Sequence, residues 1–400
     1  MMPRLGNRRC LILFAIDSRP VRVLQSVGGM NHGGIEHFVM NVYRKIDRDL
    51  VQFDFVERVN DRCVFDDEIE SLGGRIYRFQ SPDKHPISSM RFYRELFREH
   101  PEWQVVHEHR STLSGFLCCL RAADYEHVRT RVAHAHNSAL SSYYGGFGNA
   151  VEQITDVINK KMIGKIATDY FACSDLAAQW LFPFETGVSN KVRVIPNGID
   201  VTRFSFNVQD RVEIRALYGI PENAFVIGHV GRFCQEKNQE FLIGLLKAIP
   251  AEMEGRLLLL GDGPLRGEIE DRASRLGLRE RVIFAGLQSE TWKFYSAMDA
   301  FCMPSIHEGL PVSAVEAQAN GLPLFLSENV SHDTDLGGVK AFLPINEGVD
   351  AWVEKLLNCR QSIVGRSCGA KLVADAGFDI DVAAEELQDF YLRSGKVGSR

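Results

Sequence analysis

The run His307-Glu308-Gly309-Leu310-Pro311-Val312-Ser313-Ala314-Val315-Glu316-Ala317 follows closely on the apolar stretch Ala300–Met303. A short apolar run ended by a break reads as a buried strand, and the segment after it reads as a loop opening into a helix. Pro311 suits the first helical turn, because the N–H that proline lacks has no intrahelical partner there. Gly321 suits the helix end. This puts Glu308 in the loop and Glu316 about one and a half turns into the helix. The free N–H groups and the dipole at such a helix start favour phosphate. Two carboxylates flanking it could grip a polyhydroxylated ligand. Taken singly, each carboxylate is more simply a dipole-stabilising or solvated residue, so the surrounding sequence has to decide.

Outward from this segment the same alternation repeats. Strand candidates Phe225–Val230, Arg256–Leu260, Val282–Ala285, Ala300–Met303 and Leu322–Leu326 are separated by helix patterns at Asn238–Ala248, Leu265–Leu276, Glu290–Met298 and Pro311–Ala319. Strands spaced by helical lengths indicate βαβ units and a doubly wound parallel sheet. Before Pro196 the pattern is softer but of the same kind: Val21–Gln25, Phe53–Val56, Arg75–Phe79, Gln104–His107, Thr130–His134, Tyr170–Cys173 and Val192–Ile195, with a helix at Glu36–Lys45. The turn-forming Pro196-Asn197-Gly198 marks a seam. The sequence therefore predicts an extension at 1–19, one Rossmann-like domain at 20–195, a second at 196–378, and a last helix within 379–400 that crosses back to the first.

Composition agrees. A chain of 400 residues suits two α/β domains, at roughly 150 residues per domain. A formal net charge of −6 argues against a general nucleic-acid binder, which gains affinity from a basic field. The nine cysteines are scattered, with no metal-binding spacing, and read as reduced thiols of a cytoplasmic protein. Near the start, the apolar run Cys10–Ile16 is too short to span a bilayer and has no small-residue cleavage site after it.

Other loops carry candidate chemistry. Gly231-Arg232-Phe233-Cys234-Gln235-Glu236-Lys237-Asn238 follows the first strand of the second domain, where doubly wound sheets bind ligands. Its Arg232 and Lys237 could neutralise a diphosphate. Gly28-Gly29-Met30-Asn31-His32-Gly33-Gly34-Ile35-Glu36 follows the first strand of the first domain; its glycines, Gly33 and Gly34 in particular, let backbone approach a ligand closely. Gly261-Asp262-Gly263-Pro264 has the wrong spacing for a dinucleotide fingerprint, and Pro264 removes a needed N–H. Asp47-Arg48-Asp49 imitates a metal-binding motif but falls in a polar connection. His107, His109, His134 and His136 sit near strand ends, and His136 is the preferred site residue, with His134 the alternative.

In combination these segments resemble the family-4 retaining glycosyltransferases of GT-B fold, especially those of bacterial exopolysaccharide and capsule synthesis. The resemblance runs from about Val21 to Arg393 and includes Arg131-Val132-Ala133-His134-Ala135-His136-Asn137, Phe171-Ala172-Cys173-Ser174 and Val194-Ile195-Pro196-Asn197-Gly198-Ile199-Asp200. It implies a hexosyltransferase using a nucleotide diphosphate sugar, UDP-linked, and an acceptor hydroxyl on a saccharide or lipid-linked saccharide. Arg232 and Lys237 would hold the diphosphate, Glu316 the ribose, and Glu308 and His136 the donor sugar, with Gly33, Gly34, Gly309 and Leu310 lining the donor. No metal or other cofactor is implied, and the anomeric configuration would be retained. The competing readings are a nucleotide-sugar epimerase of the same fold and a non-catalytic nucleotide-sugar sensor. A helix pattern over Val151–Tyr170, with Lys160, Lys161 and Lys165 beside Val151, Ile154, Val157, Ile158, Met162 and Ile166, suggests peripheral contact with the inner membrane face or, equally, an ordinary core-facing helix.

Overall fold

Two parallel sheets dominate the computed structural model, in which residues 19–79, 85–110, 117–136, 158–183, 187–359 and 366–395 are described. The first half runs β1 (Val21–Val27), α1 (Gly34–Lys45), β2 (Val51–Glu57), α2 (Asp66–Ser71), β3 (Ile76–Arg78), α3 (Pro86–Glu99), β4 (Val105–Arg110), α4 (Cys118–Tyr125), β5 (Thr130–Ala135), a helix at 158–166 (α5), β6 (Asp169–Ala172), α6 (Asp175–Leu181) and β7 (Arg193–Val194). The second continues with α7 (Val208–Leu217), β8 (Val226–Val230), α8 (Gln239–Ala248), β9 (Arg256–Leu260), α9 (Arg266–Arg275), β10 (Val282–Gly286), α10 (Thr291–Ala297), β11 (Ala300–Met303), α11 (Val312–Ala319), β12 (Leu324–Ser327), β13 (Val339–Leu343), α12 (Asp350–Cys359), α13 (Gly369–Asp375) and α14 (Ile380–Gly395).

The sheet orders are β3-β2-β1-β4-β5-β6-β7 and β10-β9-β8-β11-β12-β13. Each reverses direction once, between β1 and β4 in the first and between β8 and β11 in the second, and such switch points are where open α/β sheets bind ligands. Several strands of the second sheet read as nearly continuous apolar runs, as expected where helices cover both faces. In β9, for example, Leu257 to Leu259 are fully buried and Leu260 nearly so. Two buried clusters flank each sheet.

Helix α14 packs on the first sheet although it lies last in sequence. Its Ile380, Ala383, Ala384, Leu387, Phe390 and Tyr391 join the core formed by β1, α1 and β2. Gln388 accepts the Asp47 N–H at 2.6 Å, and Lys45 pairs with both Asp200 at 3.1 Å and Asp381 at 2.8 Å. Ile199 bridges to Asp379, and a side chain at Gly198 would collide with the backbone of Ile380. The Pro196-Asn197-Gly198 seam is thus where both chain crossings lie together.

Three sequence expectations need correction. Helix α11 begins at Val312, so Pro311 is its cap and not its first turn. The helix expected over Val151–Tyr170 ends by residue 166, and Tyr170 belongs to β6. Ile163 and Ile166 face the core while Lys161 and Lys165 are exposed; Val151, Ile154 and Val157 lie outside the described residues, as does the extension up to residue 18. Strand β13 was not anticipated, because Lys340 interrupts its short apolar pattern.

Candidate active site

At the second switch point the loops after β8 and β11 are tied together by one side-chain and one backbone hydrogen bond. The Asn238 side chain donates to the Pro304 carbonyl at 3.1 Å, and the Ile306 N–H donates to the Glu236 carbonyl at 2.8 Å. Asn238 adopts φ +53°, a left-handed conformation that asparagine tolerates well, and ends the turn carrying Gln235–Lys237. Across this junction the Lys237 ammonium forms an ion pair with the Glu308 carboxylate, both side chains being about four-fifths buried. Glu308 is itself held by an isolated parallel bridge to Val330: its N–H donates to the Asn329 carbonyl at 3.3 Å, and its carbonyl accepts from the Ser331 N–H at 3.0 Å.

The Gly261-Asp262-Gly263-Pro264 segment, unsuited to a dinucleotide, braces this site. Phe233 N–H donates to Asp262 at 3.0 Å and Leu265 N–H donates back to Phe233 at 3.2 Å. A side chain at Gly261 or Gly263 would strike the backbone of Gly231 or Phe233, and Gly261 also adopts φ +124°. Arg232, between them, is exposed, while its carbonyl accepts from Gln239 at 2.8 Å. The guanidinium is therefore presented outward by a fixed backbone.

Helix α11 starts without any side-chain cap. The Ala314 N–H already donates to the Pro311 carbonyl at 3.0 Å, which leaves the N–H groups of Val312 and Ser313, next to Gly309 and Leu310, as the ones that suit an anion. One turn on, Glu316 accepts a 2.6 Å hydrogen bond from the Tyr295 hydroxyl of α10. That bond favours the carboxylate, but burial outweighs it and pushes the Glu316 pKa up to about 7. Tyr295 carried no sequence signal, since nothing in the α10 pattern points to Glu316.

The sign of this shift yields a stability prediction. An unfolded glutamate ionises near 4.5 and the folded one near 7, so between those values the folded state holds more protons. Stability therefore falls as the pH rises through that window and is level above it. Glu316→Gln should melt with the parent at about pH 4 and at a higher temperature than the parent at about pH 8. Thermal scans at both pH values check this, and a variant that melts below the parent at high pH contradicts it.

The first-sheet switch point faces this assembly: a side chain at Gly34 would come within 3.9 Å of Val312 in the first turn of α11. Gly33 precedes α1, and a side chain there would collide with the Glu36 carboxylate. Behind the loop stand the four histidines, which alternate along β4 and β5 and so share one face. His107 and His134 are fully enclosed, His109 is 2% exposed and His136, at the strand end, is 8% exposed. Burial pushes His136 down to about 3 and the other three well below the ordinary range, so all four are neutral. The structure brings Lys237, Glu308 and the start of α11 together directly; it places His136 in the opposite domain, behind the glycine loop.

Among the described residues, the groups with metal-ligand proximity are His107-His109-His134 and Glu57-Cys63-Asp66, all buried. Asp47-Arg48-Asp49 belongs to neither; it forms a turn in which Asp47 accepts the Asp49 N–H at 3.0 Å.

Comparison with known proteins accords with this geometry. Residues 32–203 match the model for Glycosyltransferase Family 4, and residues 210–333 match that for Glycosyl transferases group 1. The putative glycosyltransferase EpsF of Bacillus subtilis (strain 168) is 37% identical over 354 residues, covering 88% of this chain and 90% of that one. The UDP-Gal:alpha-D-GlcNAc-diphosphoundecaprenol alpha-1,3-galactosyltransferase of Escherichia coli is 27% identical, over 50% of this chain and 54% of its own. Anabaena HepE in complex with UDP superposes with a TM-score of 0.72 at 19% identity, covering 93% of this chain and 99% of the other.

Proposed function

We propose that this chain, which belongs to the family-4 glycosyltransferases of GT-B fold, transfers a hexose from a UDP-sugar to an acceptor hydroxyl with retention of anomeric configuration. The observation that carries the reading is the convergence, at one switch point, of a lysine, a carboxylate and an uncapped helix start. Such a place suits a leaving diphosphate, which needs fixed positive charge where negative charge develops. Lys237, the exposed Arg232 and the first-turn N–H groups of α11 supply it, so no metal is assigned to the step. Glu316 takes the ribose hydroxyls, and Gly309 and Leu310 line the diphosphate. Gly33 and Gly34 bring backbone against the donor from the other domain, and His136 meets the sugar.

Glu308, neutralised in part by Lys237, is poorly placed to attack the sugar as a nucleophile. Its role is to accept hydrogen bonds from sugar hydroxyls, and the acceptor attacks from the face that the diphosphate leaves. The E. coli relative supports UDP as the nucleotide carrier and a diphosphoundecaprenol-linked saccharide as acceptor.

The test is to incubate the protein with UDP-glucose or UDP-galactose and a glycosyl-diphosphoundecaprenol, and to read the product by proton NMR. An α-linked product from the α-linked donor supports the reading. A free epimer without transfer, or donor binding without turnover, refutes it.

No helix among the described residues is long and apolar enough to cross a membrane. Contact with the lipid-linked acceptor is assigned to the surface carrying the exposed Lys161 and Lys165, since each cation near an anionic leaflet adds about 1 kcal/mol. The protein should therefore float with anionic liposomes, and replacing Lys160, Lys161 and Lys165 with glutamine should release it. Equal recovery of parent and variant contradicts this.

A further inference from the structure

Among the described residues, the Glu316 side chain has one hydrogen-bond partner, the Tyr295 hydroxyl, which donates to Oε2 at 2.6 Å. The same hydroxyl lies 3.3 Å from the Ser313 carbonyl. A phenol has a single proton, and the shorter contact, to the carboxylate, takes it. Oε1 of Glu316 makes no hydrogen bond there, yet it is not sealed in, since Glu316 is half-buried.

The hydroxyl is held rigidly. Tyr295 is fully enclosed, with ring contacts to Phe204 and Phe301 at centroid distances of 5.8 and 6.0 Å. The buried Arg366 guanidinium donates to the carbonyls of Tyr295 at 3.0 Å and Met298 at 2.9 Å, at the end of α10, and to that of Asn320 at 3.2 Å, at the end of α11. One guanidinium thus clamps the two helices that carry the hydroxyl and the carboxylate. The charged groups of the elements packed against α11 are engaged elsewhere. Lys293 of α10 pairs with Glu213 and Glu290, and Lys371 and Asp375 of α13 pair with each other. Cys302 of β11 lies in the cluster on the other face of the sheet, and β12 carries no titratable side chain.

We propose that Tyr295 is a positioning residue for the donor: by occupying Oε2 of Glu316 with a rigidly held hydroxyl, it leaves Oε1 as the oxygen that accepts the ribose hydroxyl. This rests on the reading that Glu316 meets the ribose; the pairing of the two side chains stands apart from it. The bond is made to the carboxylate and so favours the charged form. Donor affinity should therefore rise with pH through about 7, where Glu316 ionises, because a charged acceptor hydrogen-bonds more strongly. Without the hydroxyl the carboxyl ionises at higher pH, and the affinity curve moves the same way.

Calorimetry with UDP-glucose, whose diphosphate stays ionised throughout, tests this on the parent, Tyr295→Phe, Glu316→Ala and the double variant. Tyr295→Phe should bind about 10-fold more weakly at about pH 8, the loss of one hydrogen bond to a charged group. It should approach the parent at about pH 5.5, where both carboxyls are protonated. Beside Glu316→Ala it should cost nothing further. Carbon-13 spectra of the glutamate carboxyls, with Glu316 assigned by loss of its signal in Glu316→Ala, should show a higher titration midpoint in Tyr295→Phe without any ligand. A loss of equal size at every pH, or one repeated in full beside Glu316→Ala, would mark Tyr295 as packing alone and overturn the proposal, as would an unshifted midpoint. If Glu316→Ala binds UDP-glucose as well as the parent does, the ribose reading fails and takes the donor role of Tyr295 with it, while the midpoint still judges the pairing. Should Tyr295→Phe not fold, the parent decides: an affinity that does not rise between about pH 6 and pH 8 overturns the proposal.

Discussion

Lys237→Ala should lower kcat about 100-fold with the fold intact, a loss of about 3 kcal/mol in stabilisation of the developing diphosphate charge. The expectation follows from placement. Lys237 closes a turn pinned by Asn238 to Pro304 and by Glu236 to Ile306, so its ammonium is fixed before the donor arrives. Charge held in advance does not have to reorganise as the bond breaks. The substitution also leaves Glu308 without its partner, which adds repulsion towards the incoming phosphates. Affinity for UDP should therefore fall as well. Lys237→Arg, which keeps the charge, should restore part of the rate. Steady-state kinetics with circular dichroism as the control checks this, and an unchanged kcat in a folded alanine variant refutes the assignment.

Glu308→Gln should also lower kcat, by 10-fold or more, but with the opposite effect on the free nucleotide. The position beside the sugar implies hydrogen bonds that strengthen as charge develops at the anomeric carbon, and bonds of that kind raise turnover and not ground-state affinity. UDP lacks the sugar, so sequence position alone predicts that its affinity is unchanged. The ion pair alters this expectation: removing the carboxylate charge frees Lys237 for the phosphates, and UDP should bind as tightly as to the parent or tighter. Kinetics with the donor beside calorimetry with UDP separate these effects. Weaker UDP binding together with an unchanged kcat would mean that Glu308 serves the diphosphate and not the sugar.

Much of this was legible in sequence for a physical reason. Strands buried on both faces are continuous apolar runs, and β9 and β11 were read with the bounds the structure gives them. The four histidines were likewise read near strand ends, and the structure places His107 and His109 in β4, His134 in β5 and His136 directly after it. What stayed hidden depends on approach between distant segments. Nothing local to Lys237 names Glu308 as its partner, and nothing local to Glu316 names Tyr295. The role of Gly261 and Gly263 as a brace appears only once the backbone of Gly231–Phe233 is seen against them. Gln25 and Tyr391 read as interior strand and helix residues until α14 is folded back across the first sheet.

The central claim is that the donor nucleotide is held at the start of α11, with Glu316 on its ribose. Calorimetric titration of UDP into the parent and into Glu316→Ala at about pH 8, where the carboxyl is ionised, tests it most directly. Loss of a charged hydrogen bond of about 2 kcal/mol predicts roughly 30-fold weaker binding. The same UDP affinity in the folded Glu316→Ala variant would contradict the account.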